Sequence, residues 1–234
     1  MFRVRSDYQA TTDGLTLEQM KRVNVIGLSG SGKSTFARQL ADALGSDYIE
    51  MDRLFHGRGW TEPDAEDFRK RVVKAILGER WVLDGNYHSK THDLKWEHAT
   101  AIIWVNTPFA RNLWQSTSRA LRRAWTQEEL WPGTGNRESF RRNLFSRHSM
   151  ILWVLLNYHK IQRRYSAIRN DQNWSHIRFV ELRNRKDAEM LVDHAKQLVC
   201  PPPGDASFSV AQGANDAVLP PKKELPAGKS AVRH

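Results

Sequence analysis

Lys33, Ser34 and Asp84 carry the strongest chemical signal in the chain. The first two close the run Gly27-Leu28-Ser29-Gly30-Ser31-Gly32-Lys33-Ser34, followed by Thr35, which fits G-x-x-x-x-G-K-[ST]. In that spacing the glycines let successive backbone N–H groups curl around a phosphate where a Cβ would obstruct. The orphan N–H groups and positive dipole end of the following helix point at the same anion. The Lys33 ammonium then reaches the β and γ phosphates, and the Ser34 hydroxyl ligates magnesium. The expected donor site is therefore the whole of Gly27 to Thr35, and the cofactors it implies are ATP and Mg2+.

A dinucleotide site is the nearest competitor, because Asp52 falls about 20 residues beyond Gly32, where such sites hold a ribose. Thr35 stands where that fingerprint wants Gly or Ala, and Lys33 has no part in it. Asp84 ends the apolar run Trp81-Val82-Leu83 and is followed by Gly85. An acid there can hold magnesium behind a phosphate loop, with the glycine leaving room for phosphate or substrate; Asp-Gly is also an ordinary turn. Asp52 can take a proton from an attacking hydroxyl or can simply cap a helix. His56 reads equally as a loop residue or a ligand. Arg119, Arg122 and Arg123 precede a Pro- and Gly-bearing loop, Thr126 to Arg137, and Arg137, Arg141 and Arg142 follow it. That is the arrangement of a lid over transferring phosphate, with Arg119 and Arg123 as candidate catalytic cations. Any of these arginines could instead be a solvated residue.

These side chains need a scaffold, and the pattern supplies one. Arg22–Ile26, Tyr48–Met51, Trp81–Leu83, Thr100–Val105 and Ile177–Leu182 are short, rich in β-branched and aromatic residues, and bounded by polar turns, as strands are. Helical patterns follow over Lys33–Leu44, Ala65–Leu77, His92–His98, Pro108–Trp125 and Lys186–Leu198. The alternation predicts a parallel sheet covered by helices on both faces, its ligands at the carboxyl ends of the strands. A long amphipathic helix is expected from Glu138 to about Ile168, with Phe140, Leu144, Ile151, Leu155, Tyr158 and Ile161 on one stripe. The loop before it is expected to be mobile, and the lid to span about 119–142.

The ends differ from the middle. Residues 1–20 are polar and read as a loose arm; residues 200–234 are rich in proline and small residues and read as a disordered tail. The domain proper is 21–199. No run of about 18 apolar residues is present, which argues against a membrane span, and no secretory signal opens the chain. The one cysteine, Cys200, cannot form an intramolecular disulfide, which fits a reducing cytoplasm.

Of the formal charge of +10, nearly all the excess lies between Arg111 and Arg169, where twelve Lys and Arg face three Glu. Such a patch suits phosphates on a nucleotide or along a nucleic acid. Two readings follow. One is an ATP- and magnesium-dependent phosphotransferase acting on a small-molecule acceptor such as a nucleotide, nucleoside or other hydroxyl compound. The other is a nucleotide-gated nucleic-acid-binding protein without that activity. The tryptophans of the segment, Trp114, Trp125, Trp131 and Trp153, read as core or lid packing more readily than as a base-stacking platform.

Together these residues resemble the adenylate-kinase-like family of small P-loop kinases, and more narrowly its bacterial subgroup of adenylate-kinase-related or topology modulation proteins. The resemblance rests on Gly27 to Thr35, Asp52-Arg-Leu-Phe-His56, Gly59-Trp60, Asp84-Gly-Asn-Tyr87 and Gly135 to Phe145, and covers about Val23 to Leu198. It implies a P-loop NTPase three-layer α/β/α fold with a five-stranded parallel sheet, ATP as donor, magnesium as cofactor and Arg183 to Asp187 near the adenine. The chain departs from adenylate kinases after Asp84-Gly85, where Asn86-Tyr87-His88 stands in place of Phe-Pro-Arg, and the segment between Asp52 and Asp84 is short for a nucleoside-monophosphate clamp. Both departures count against AMP as acceptor.

Overall fold

The computed structural model describes residues 14–137 and 150–200. Its strands are β1 (Arg22–Gly27), β2 (Asp47–Glu50), β3 (Trp81–Asp84), β4 (Ala101–Val105) and β5 (Arg178–Leu182). The helices are α1 (Lys33–Leu44), α2 (Met51–Phe55), α3 (Ala65–Ala75), α4 (His88–His98), α5 (Phe109–Thr126), α6 (Met150–Arg169) and α7 (Arg185–Val199), with 3-10 turns at Glu18–Met20, Arg58–Trp60 and Gln172–Trp174. The strands pair in the order β2-β3-β1-β4-β5, and every pairing is parallel. The fold is the expected P-loop α/β/α arrangement.

Because successive side chains of a strand point to opposite faces, the sheet divides the apolar residues into two clusters. Val23, Val25, Val82, Ile103 and Val180 pack beneath Phe36, Leu40 and Leu44 of α1 and Leu191 and Ala195 of α7. Ile26, Trp81, Leu83, Ile102 and Trp104 face the other way, onto Phe55, Phe68, Trp96 and Tyr165. Each such side chain taken fully from water stabilises the fold by about 1.5–3 kcal/mol.

Asn24 is the exception in β1, a polar residue fully buried at the middle of the central strand. Its amide donates to the carbonyls of Leu83 (3.0 Å) and Gly85 (3.2 Å), and its oxygen accepts the Trp96 indole N–H at 2.8 Å. All the polar burial at that point is thereby compensated.

Several expectations shift. The second strand ends at Glu50, and Met51 opens the short α2, so Asp52 lies inside the first turn of that helix while Glu50 occupies the N-cap position. Residues 14–20 are not loose: Leu15 and Met20 are buried in the α1/α7 cluster, and the Leu15 carbonyl lies 2.8 Å from the His194 ring. Residues 1–13, the tail 201–234 and the stretch 138–149, with Arg141 and Arg142, lie outside the described residues.

Trp114 and Trp125 were expected to pack but are 73% and 82% exposed. The reason is the composition of α5. Its inward face is the stripe Asn112, Ser116, Ala120 and Ala124, spaced four apart and buried, so the small residues approach the Ser29–Gly30 backbone and the tryptophans are left outside. Trp131 does pack, with 8% of its surface exposed.

The loop from Thr126 to Arg137, expected to be mobile, is an internally bonded turn. Glu129 and Arg137 form an antiparallel bridge, Leu130 N–H donates to the Asn136 carbonyl at 2.9 Å, and Gly135 N–H donates to Glu129 at 2.5 Å. No described helix is long and apolar enough to cross a membrane.

Candidate active site

The segment from Gly27 to Lys33 leaves the carboxyl end of β1 between β3 and β4 and enters α1. Its shape depends on Gly30, which has φ +81°; a Cβ there would lie 2.2 Å from Ser116 Oγ and 2.7 Å from the Asn112 carbonyl oxygen. The small residues of α5 therefore set how closely the loop is embraced. Ser116 Oγ donates to the Ser29 carbonyl at 2.8 Å, and Arg119 donates to Ser29 Oγ at 2.7 Å. Gly32, also left-handed at φ +90°, occupies the N-cap of α1 and brings no side-chain cap.

Among the described residues, the N–H groups of Gly30, Gly32, Lys33, Ser34 and Thr35 donate to no protein acceptor. Ser31 Oγ is buried with no hydrogen-bond partner. A ring of unmatched donors at the start of a helix is an anion site in physical terms.

Lys33 Nζ lies 3.8 Å from Asp84 Oδ1, with the carboxylate side chain only 3% exposed and the lysine side chain 15% exposed. Asp84 Oδ2 accepts from the Tyr48 hydroxyl at 3.0 Å, whereas Oδ1 has no hydrogen-bond donor. Burial, reinforced by the Asp84 charge, pushes the Tyr48 phenol well above its ordinary range, so it stays a donor. An orphaned carboxylate oxygen beside a phosphate loop fits a magnesium ion. No cluster of three or more His, Cys, Asp or Glu that could hold a metal occurs among the described residues. A hydrated magnesium carried by nucleotide phosphates needs no such cluster, since one or two protein ligands suffice.

A Cβ on Gly85 would lie 2.7 Å from Met51 Cβ, so the glycine admits α2 at close range. The next residue, Asn86, meets the peptide of Gly27 twice: Gly27 N–H donates to Asn86 Oδ1 at 3.0 Å, and Asn86 Nδ2 donates to the Gly27 carbonyl at 2.8 Å. Tyr87, held at φ +31°, donates from its hydroxyl to Asp52 Oδ1 at 2.9 Å. Burial first, and then the Asp52 charge, raises the Tyr87 phenol far above its usual range. Glu50 is also raised, mainly by burial and next by Asp52, while a hydrogen bond with Trp131 opposes the shift.

His56, Trp60 and Trp131 form a connected aromatic group beside Asp52. His56 stacks on Trp131 at 5.9 Å between ring centroids and meets Trp60 edge-on at 5.3 Å. Asn136, fully buried, fastens the turn that carries Trp131 to the Arg58–Trp60 turn: Trp60 N–H donates to its Oδ1 at 2.7 Å, and its Nδ2 donates to the Gly57 carbonyl at 2.9 Å.

The structure thus brings together Gly27 to Thr35, Asp84 and Arg119, with Asp52 joined to them through the turn after Asp84. Arg123 lies one turn beyond Arg119 on α5. Arg183 to Asp187 forms the α7 cap, with Asn184 and Asp187 exchanging backbone bonds. Glu50, Tyr48, Asn136 and Lys95 were not singled out from the sequence. Lys95 is fully buried in α4, and its ammonium donates to the carbonyls of Gly85 (3.4 Å) and Asn86. The only trace of it in the sequence is the spacing Thr91, Lys95, Ala99, which repeats every four residues along the buried side of α4.

No protein-family model matches the chain. A shikimate kinase of Persephonella marina is 26% identical over 105 residues, which cover 38% of this chain and 63% of the relative. The chain therefore spans under two thirds of that relative's length. Among solved structures, a shikimate kinase from Acinetobacter baumannii in complex with shikimate aligns over 78% of this chain and 94% of its own, at 16% identity and a TM-score of 0.45. A gluconokinase from Sinorhizobium meliloti aligns over 77% and 91%, at 16% identity and 0.42.

Proposed function

We propose that the chain is an ATP- and magnesium-dependent phosphotransferase that moves the γ-phosphoryl group of ATP onto a hydroxyl of a small molecule. The observation that carries this reading is the pairing of unmatched loop amides with Lys33, 3.8 Å from a buried carboxylate whose Oδ1 has no hydrogen-bond donor. The partial likeness to a shikimate kinase supports the kinase class, while the acceptor stays open between nucleotide, nucleoside and other hydroxyl compounds.

The roles follow from the geometry. Loop amides from Gly27 to Thr35 and the Lys33 ammonium bind and orient the triphosphate, a site that costs little reorganisation because its donors are already aimed inward. Ser34 and Asp84 would hold magnesium, which when bound neutralises phosphate charge and polarises the transferring group. Asp52, oriented by the Tyr87 hydroxyl, keeps its second oxygen for the acceptor. The acceptor oxygen forms the new bond to γ-phosphorus, the bond from that phosphorus to the bridging oxygen breaks, its electron pair leaves with ADP, and the hydroxyl proton passes to Asp52. Arg119, one hydrogen bond from Ser29, is placed at the donor side, where charge spreads over the phosphoryl oxygens. Arg123 is the second candidate cation.

The test is Lys33→Ala, assayed for magnesium-dependent ATP binding and for ADP formation against a panel of nucleosides, nucleotides and sugars. Loss of one such donor lowers turnover by about 10²–10³-fold. Wild-type ATP affinity and turnover in the variant would remove the proposal.

A further inference from the structure

Lys95 is an ionisable side chain, yet it is fully buried. A lysine in that position is costly unless its charge is compensated. Around its ammonium lie the carbonyl oxygens of Gly85 and Asn86, the Met51 sulfur at 4.0 Å and the Trp96 ring at 5.9 Å. No carboxylate pairs with it within ion-pair distance among the described residues. Its bonding capacity is spent on the backbone of one turn.

That turn has two outputs. The Asn86 side chain clamps both polar atoms of the Gly27 peptide, where the phosphate loop begins. Tyr87, in a left-handed conformation that a bulky residue rarely adopts, holds Asp52 on the acceptor side. Lys95 holds the Asn86 carbonyl and shares the Gly85 carbonyl with the Asn24 amide, so it fixes the backbone of the turn that carries both side chains. We propose that Lys95 is a positioning residue: through the Gly85 and Asn86 carbonyls it sets the turn that keeps the Gly27 end of the phosphate loop and the Asp52 carboxylate in one fixed relation. This role in catalysis rests on the phosphotransferase reading, whereas the coupling itself does not.

The experiment uses the full chain with Lys95→Met and with Lys95→Gln, which retains a donor. Hydrogen exchange reports the coupling without turnover: protection of the Gly27 amide, which donates to Asn86, falls about tenfold or more in Lys95→Met, while the Leu40 amide in α1 is unchanged. Under the phosphotransferase reading, kcat falls by about ten- to a hundredfold, the loss expected for misplacement on the order of 1 Å, and the MgATP dissociation constant moves less than about threefold. Tyr87→Phe then costs far less in the Lys95→Met background than alone, because both changes break one path.

Unchanged Gly27 protection, additive losses, or failure of both Lys95 variants to fold would overturn the proposal and leave Lys95 as packing alone. Lost Gly27 protection in a protein that transfers no phosphate would instead remove the phosphotransferase reading and keep the coupling.

Discussion

Lys95 also makes a thermodynamic statement. Burial pushes its ammonium down from 10.5 to about 7. Since the folded value lies below the unfolded one, the unfolded chain binds more protons between them. The associated stability is fully present above 10.5 and is lost as pH falls towards 7. Over that window the slope is up to about 1.4 kcal/mol per pH unit. Urea unfolding of the wild type should therefore show stability rising between about pH 7.5 and about pH 9, by roughly 2 kcal/mol, and Lys95→Met should lack this rise. Equal slopes in the two proteins would show that the ammonium is compensated more completely than its surroundings indicate. The same residue shows where sequence reading stops. Lys33 was legible because its spacing from Gly27 and Gly32 belongs to a motif with a mechanism. Lys95 has no such neighbours, and its significance comes from carbonyls that fold back upon it.

Elements were legible in proportion to how far their buried faces are apolar. The strands and α1 bury Val, Ile and Leu, and their positions follow directly from the sequence. Helix α5 was found, but its inward face was misjudged, because Asn112, Ser116, Ala120 and Ala124 carry almost no apolar signal and large tryptophans sit opposite. The loop from Thr126 to Arg137 was expected to be mobile on account of Pro132, Gly133 and Gly135. Glycines at φ +80° and +70° instead permit a compact turn, which Asn136 fastens to Gly57 and Trp60. Under the phosphotransferase reading, this fastening bears on water exclusion over the acceptor side. Asn136→Ala removes two hydrogen bonds made in a buried place, each worth about 1 kcal/mol net. We expect the MgATP affinity to hold, the acceptor KM to rise several-fold, and ADP to form in excess of phosphorylated product as water replaces acceptor. Parallel measurement of ADP and product gives that ratio. An unchanged ratio would show that the turn has no gating role.

Across the whole molecule, the sheet places its two apolar clusters on opposite faces and gathers the phosphate loop, Asp84 and Asp52 at the carboxyl ends of its strands, as parallel sheets do. The charge excess follows a different logic. Of the basic residues between Arg111 and Arg169, Arg119 is bonded to Ser29, Arg137 to the Gln127 carbonyl and Arg169 to Glu181, so part of the excess serves the fold and the loop. What favours a nucleic-acid role is the exposure of Trp114 and Trp125 on a helix that also carries Arg111 and Arg122, since exposed rings can stack on bases. The two readings differ in how they respond to salt and nucleotide. Non-specific phosphate contacts give dissociation constants of about 10⁻⁴–10⁻⁶ M at physiological salt and weaken by orders of magnitude as salt rises. For a phosphotransferase with a net charge of +10 we expect that behaviour and no more. A labelled duplex or single strand followed by anisotropy should show only weak binding near 0.15 M salt, about micromolar or looser, with no change on adding MgATP. The Trp114→Ala, Trp125→Ala double variant should leave ADP formation intact, because both rings are largely exposed. A tighter complex that persists at high salt, depends on both tryptophans and is switched by MgATP would transfer the function from the acceptor pocket to the outer face of α5, with the phosphate loop acting as its gate.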